Sequence, residues 1–171
     1  MAEPDGGLAG LRAAAITVSS SKAAGEGTDE SGPELVRFAR SLGLEIEAAE
    51  IVADDRELLA DRLRYFCDAD PVALVLTSGG TGLAPDDLTP EATRDVVERE
   101  APGLAEAMRL ASREHTDHWM LSRAVAGARG ATLIVNFPGS PKSIAETGSA
   151  LAAALPHALR LLNDLPAPHR P

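Results

Sequence analysis

The chain has 171 residues, 44% of them hydrophobic, a single cysteine and a formal net charge of −10. That length fits one domain able to bury roughly 70% of its unfolded surface, so neither disulfides nor structural zinc are needed to hold a core. Cys67 alone excludes an internal disulfide, the acidic balance argues against nucleic acid as a partner, and no apolar run nears the ~20 residues of a membrane span.

Residues 1–11, rich in Gly and Ala, read as a flexible tail without the apolar core of a signal peptide, which points to the cytoplasm. Ala14–Ser19 reads as a buried first strand and Ser20–Gly32 as a polar loop. Pro33 opens a helix carrying Leu35, Val36, Phe38, Ala39 and Leu42, closed by Gly43. Leu44–Val52 alternates as a strand should. Asp54 or Asp55 caps the next helix, which carries Leu58, Leu59, Leu63 and Phe66. Val72–Thr77 is a third strand, and Thr89 caps a helix with Pro90 at its first position. Pro102 starts another helix, with Leu104, Met108 and Ala111 along it. Ala131–Phe137 is a strongly apolar strand, Ser140-Pro141 caps the helix after it, and Pro156 starts or kinks a last amphipathic segment before a frayed tail over 166–171. Strands alternating with helices predict one domain over 12–165: an α/β fold, a three-layer α/β/α sandwich on a mostly parallel, mixed sheet. Ligands of such sheets sit beyond the carboxyl ends of the strands.

Two strand-to-helix turns carry the chemistry. Thr77-Ser78-Gly79-Gly80-Thr81-Gly82 follows an apolar strand, and glycines there let backbone N–H groups approach a phosphate. It is neither a P-loop nor a GxGxxG turn. Asp86 and Asp87 follow as candidate cation ligands, and Asp54 can supply a second carboxylate; a turn role or helix cap is the plainer account of each. Micromolar binding of a nucleotide needs about 8 kcal/mol, whereas a helix N-terminus gives at most ~2 kcal/mol. Mg²⁺ between carboxylate and phosphate oxygens would reconcile a triphosphate with an acidic protein.

The second turn is Asn136-Phe137-Pro138-Gly139-Ser140-Pro141-Lys142, which puts a lysine in the first turn of a helix, where the macrodipole disfavours it unless an anion is near. Ser19–Lys22 supplies hydroxyls and the other lysine. Arg123 either reaches phosphate or lies on a helix surface. His115 and His118 lack a third ligand and are not read as a metal centre. Trp119 and Met120 read as packing or an interface, and Cys67 as inert core.

Taken together, Thr77–Gly82 with Asp87-Leu88-Thr89-Pro90-Glu91-Ala92-Thr93, then Pro102-Gly103-Leu104-Ala105-Glu106-Ala107-Met108-Arg109, Leu121-Ser122-Arg123 and Asn136–Lys142 resemble the molybdenum-cofactor biosynthesis family of the MogA/MoaB type. These are the molybdopterin adenylyltransferases, with the G domain of gephyrin and its plant counterpart, and the likeness runs from about Ala15 to Leu162.

The resemblance implies transfer of AMP from Mg-ATP to molybdopterin with release of pyrophosphate, Mg²⁺ as cofactor, a homotrimer, and hand-over of adenylyl-molybdopterin to the molybdenum insertase. By position, Asp87 and Asp54 match catalytic and metal-binding aspartates, although the family's Pro-Asp-Glu-like turn here reads Ala53-Asp54-Asp55. Ser78, Gly79, Gly80, Thr81 and Gly82, with Pro138, Gly139 and Ser140, match the nucleotide-binding loops. Ser20, Lys22, Ser31, Arg123 and Lys142 fall to the pterin and its phosphate. One departure stands out: Ser19-Ser20 replaces a frequent Ser-Asp. It keeps open a non-catalytic molybdopterin carrier of the same fold, and a nucleotide-diphosphate hydrolase is a third reading.

Overall fold

The computed structural model describes residues 8–166. A six-stranded sheet runs in the order β2-β1-β3-β6-β5-β4: β1 is Arg12–Val18, β2 Glu45–Val52, β3 Leu74–Ser78, β4 Arg99–Glu100, β5 Ala126–Arg129 and β6 Thr132–Phe137. The pairs β1/β2, β1/β3 and β3/β6 are parallel, while β5 runs antiparallel to both β6 and β4. The helices are α1 Ser20–Ala23, α2 Ser31–Ser41, α3 Arg56–Arg64 with a π-turn over Tyr65–Ala69, α4 Thr89–Arg94, α5 Pro102–Ser112, α6 Pro141–Leu151 and α7 Leu155–Leu162.

The mixed α/β/α sandwich expected from the sequence is thus the observed architecture. Parallel strands covered on both faces read as continuous apolar runs, and every residue of β3 and β6 is buried. β2 lies at the open edge and keeps an alternating burial pattern. Successive side chains of β1 serve opposite layers. Ala13 and Ala15 pack with Leu35, Met108, Ile144, Leu151 and Leu159 from α2, α5, α6 and α7. Ala14, Ile16 and Val18 pack with Leu59, Leu63, Phe66 and Ala92 from α3, its π-turn and α4.

The structure departs from the sequence reading at several points, among them the short strand β4, which the sequence reading did not include, and the start of α2 at Ser31 instead of Pro33. Leu8, assigned to a tail over 1–11, is 1% exposed and belongs to the first core layer, so residues 8–11 are part of the packed domain. The rest of that tail and most of the 166–171 tail lie outside the described residues. The polar loop after β1 contains a helical turn, α1, with Ser19 as its N-cap. The strand β5 reads Ala-Gly-Ala-Arg and has too little β-forming character to stand out. It is a strand because Gly127 admits its neighbours: a Cβ there would lie 2.8 Å from the Arg99 carbonyl and 2.9 Å from Val97. Finally, Thr89 is not the cap of α4 but its first residue, and its hydroxyl donates to the Gly79 carbonyl at 2.8 Å.

This topology also fixes where a ligand can sit. The chain leaves β1 to make β2 on one side, then returns to place β3 on the other side of β1. The crevice of such a sheet opens at that reversal, beyond the carboxyl ends of β1 and β3.

Candidate active site

Both glycine-bearing loops and the exits of β1 and β2 converge on that crevice. Gly79 (φ +105°) passes so close to the end of β1 that a Cβ would lie 2.4 Å from the Val18 carbonyl. Gly80 (φ +64°) meets the Thr89 hydroxyl at 2.4 Å in the same test, and the Asp54 Oδ1 at 3.5 Å. Gly82 has ordinary φ, yet a Cβ on it would lie 2.7 Å from Asp87 Oδ2. The loop therefore threads between the two aspartates with no room for side chains at 80 and 82. Gly139, from the loop after β6, packs on Gly79.

The two aspartates are held in the same manner. Asp55, not Asp54, caps α3, accepting from the Leu58 amide at 2.8 Å, so the alternatives left by the sequence resolve and Asp54 is released from that role. Asp54 Oδ2 accepts the Ser20 amide at 2.7 Å, while the Asp54 amide donates to Ser20 Oγ at 2.9 Å, a reciprocal pair that ties the exits of β1 and β2. Asp87 Oδ2 accepts the Ala84 amide at 2.8 Å. Each carboxylate thus has one oxygen fixed by a backbone N–H, and its Oδ1 meets no donor among the described residues. The amides of Gly80, Thr81 and Gly82 likewise meet no protein acceptor there, whereas the Gly79 amide is spent on the Phe137 carbonyl at 3.3 Å. Asp86, weighed beside Asp87 as a cation ligand, is exposed.

Several residues assigned to ligands prove to be ties between loops. Buried Ser78 donates to the Pro138 carbonyl at 2.8 Å, and buried Ser31 to the Gly139 carbonyl at 3.0 Å. Both hydroxyls hold the Pro138–Ser140 turn in place. Ser140 itself is exposed, and as N-cap of α6 it makes no side-chain capping bond. Lys22 leans toward Asp29 (3.9 Å). Lys142 is almost fully exposed and lies 3.7 Å from Glu146, whose other neighbour is His115 at 3.5 Å.

Arg123 departs furthest from expectation. Its guanidinium donates to the Gly82 carbonyl at 2.7 Å, the Asp87 carbonyl at 2.6 Å and the Glu91 carboxylate, so it faces the loop and not a phosphate. The same hydrogen bond holds the Glu91 carboxyl below the usual carboxylate range.

Two further residues, Asp29 and Asn136, lie outside the candidate site residues read from the sequence and support the loops. Asp29 accepts the amides of Ser31 and Gly32 at 3.0 and 3.1 Å and the Thr17 hydroxyl at 2.8 Å, which orders the entry to α2. Asn136 is fully buried, donating to Thr77 and Thr93 and accepting the Val125 amide. An asparagine inside an apolar strand is itself the signal for such a network, because a buried amide must find partners.

Comparisons with known proteins identify the family and the fold. A family profile described as a probable molybdopterin binding domain matches residues 14–157. The chain is 45% identical over 113 residues to the molybdopterin adenylyltransferase of Helicobacter pylori, spanning 66% of this chain and 64% of that protein. It is 39% identical over 137 residues to the molybdenum cofactor synthesis protein cinnamon of Drosophila melanogaster, spanning 80% of this chain and 23% of that protein. The chain thus spans under two thirds of both relatives' lengths. A crystal structure of the molybdopterin biosynthesis enzyme MoaB from Thermus thermophilus superimposes with a TM-score of 0.86 at 44% identity, covering 92% of this chain and 99% of that one. By profile, sequence and fold, this chain belongs to the molybdenum cofactor biosynthesis family defined by that molybdopterin-binding domain.

Proposed function

We propose that the protein transfers AMP from Mg-ATP to molybdopterin, giving adenylyl-molybdopterin and pyrophosphate. One observation carries the reading. On either side of a loop with open amides stands a carboxylate with one oxygen held and the other turned free. Its relatives named molybdopterin adenylyltransferase support the same substrates.

The residues fit Mg²⁺ bound with the nucleotide. That ion takes one or two protein carboxylates and fills the rest of its shell with phosphate oxygens and water. Asp54 Oδ1 and Asp87 Oδ1 are the oxygens that would hold it, and among the described residues no cluster of three or more His, Cys, Asp or Glu forms a cage of its own. Bound there, the ion would neutralise charge on the pyrophosphate leaving group.

The chain's own contribution is positioning. The amides of Gly80, Thr81 and Gly82 grip the phosphates, as glycine turns before a helix do. A phosphate oxygen of molybdopterin attacks the α-phosphorus; its new P–O bond forms as the bond to the pyrophosphate oxygen breaks. The nucleophile is already anionic at neutral pH, so no general base is required. Lys22 and Lys142 offer charge at the rim for the pterin phosphate.

The wider reading is a homotrimer in the cytoplasm that hands its product to the molybdenum insertase. No helix among the described residues is long and apolar enough to cross a membrane. Incubating the purified protein with molybdopterin and Mg-ATP tests the reaction: pyrophosphate should appear only when both substrates are present. Tight molybdopterin binding with no pyrophosphate would make the protein a carrier instead.

A further inference from the structure

Resting on the adenylyl-transfer reading, we propose that Arg123 is a positioning residue: anchored by Glu91, it clamps both ends of the Gly82–Asp87 segment and so sets the Asp87 carboxylate and the loop amides against the nucleotide phosphates. Three contacts converge on one residue. The Arg123 amide donates to the Thr81 carbonyl at 2.9 Å, its Nε to Gly82 O at 2.7 Å and its Nη2 to Asp87 O at 2.6 Å. Glu91, in the first turn of α4, takes the remaining face of the guanidinium through both carboxylate oxygens.

The consequence for the loop follows from peptide geometry. In a trans peptide the carbonyl of one residue points opposite to the amide of the next. Drawing the Gly82 and Asp87 carbonyls onto Arg123 therefore turns the Leu83 and Leu88 amides away from it and fixes the peptide plane that follows Asp87, while the plane before it is held by the Asp87 amide on the Ala84 carbonyl at 3.0 Å. The carboxylate is then steadied at a second point by the Ala84 amide. The planar guanidinium can hold two carbonyls and a carboxylate at once, while an ammonium on a flexible stem cannot reproduce that fork. Arg123 is only partly exposed, and its donors are directed inward.

This differs in a measurable way from a role in steering phosphate by charge. A steering cation would be largely replaced by lysine, and removing the charge of Glu91 would free Arg123 to bind phosphate more tightly. A clamp gives the opposite sign for both. Arg123→Lys should lower kcat/KM for Mg-ATP at least tenfold and raise the Mg²⁺ concentration needed for half-maximal rate. Glu91→Gln should weaken Mg-ATP as well. In both variants, hydrogen exchange of the Ala84 and Asp87 amides, which are hydrogen-bonded within the clamped segment, should quicken at least tenfold, while exchange in β3 and β6 stays at the wild-type rate.

The exchange measurement needs no turnover. Wild-type protein that releases no pyrophosphate would remove the adenylyl-transfer reading but leave the clamp to be judged by exchange. Wild-type activity with Arg123→Lys matching it in both Mg-ATP kinetics and exchange would overturn the clamp alone, as would tighter Mg-ATP binding by Glu91→Gln.

Discussion

Three carboxylates away from the crevice are held differently from the two that face it. In each of the three, a single arginine takes both oxygens. Arg129 grips Asp68 at 2.8 to 3.1 Å, Arg56 takes both oxygens of Asp95 at 2.6 and 2.8 Å, and Arg62 both oxygens of Glu50 at 2.6 and 2.9 Å. At the crevice, Asp54 and Asp87 are each oriented by one backbone amide and keep the second oxygen open. A closed pair joins elements and has nothing left to offer. An oriented carboxylate with a spare oxygen is poised for a ligand that brings its own positive charge. Arg123 obeys the closed rule although it lies beside the crevice, which is why it reads as scaffold.

The largest contrast should come from exchanging aspartates across that divide. Asp87→Ala is expected to cut pyrophosphate release by roughly 10²–10³-fold, the usual cost of removing one preorganised electrostatic contact, with the circular dichroism of the fold retained. Asp68→Asn, on the closed side, should leave turnover within about twofold of wild type. Comparable losses in the two variants would erase the distinction.

Glycines give the next effect. Gly80 and Gly130 both have left-handed backbones, with φ +64° and +53°. Alanine at either should cost about 1–2 kcal/mol for that conformation. Only at Gly80 does the Cβ also collide, at 2.4 Å from the Thr89 hydroxyl, whereas nothing lies within 4 Å at Gly130. Gly80→Ala should therefore lose Mg-ATP binding as well as stability, and Gly130→Ala stability alone, as read by calorimetry and thermal melting.

A smaller effect concerns acid. The hydrogen bonds from Arg129, Arg56 and Arg123 hold the carboxyls of Asp68, Asp95 and Glu91 below their ordinary range. A depressed pKa stabilises the fold above the unfolded value, near 4, and that contribution fades as pH falls through the folded value. The melting temperature should drop on acidification below pH ~4, with a shallower slope in Asp68→Asn. The smallest signal is chemical. Burial pushes the Cys67 thiol up to about 11, so it should resist thiol reagents at pH 8 until the protein unfolds.

The sequence exposed these regions unequally. Long apolar runs such as Leu74–Ser78 and Thr132–Phe137 announce central strands because burial on both faces demands them. Ala126–Arg129 does not, since its pairing rests on the room left by Gly127, a property of its neighbours. At the site, the glycine turn and both aspartates were visible as residue types in place, and Asp54 or Asp55 as alternative caps. Which of the two caps is decided by backbone geometry at the Leu58 amide. For Ser31, Ser78 and Arg123, composition shows a donor but not its direction, and each donates to a carbonyl of a loop distant in sequence.

On the proposed reading, the free oxygens of Asp54 and Asp87 act with the Gly80–Gly82 amides on metal-bound nucleotide. Titrating ATP into the protein by calorimetry, with Mg²⁺ and again with the metal chelated, tests it most directly. Saturable heat with Mg²⁺ that disappears on chelation and in Asp87→Ala is the predicted result. Equal binding with and without the metal, or in the variant, would contradict it.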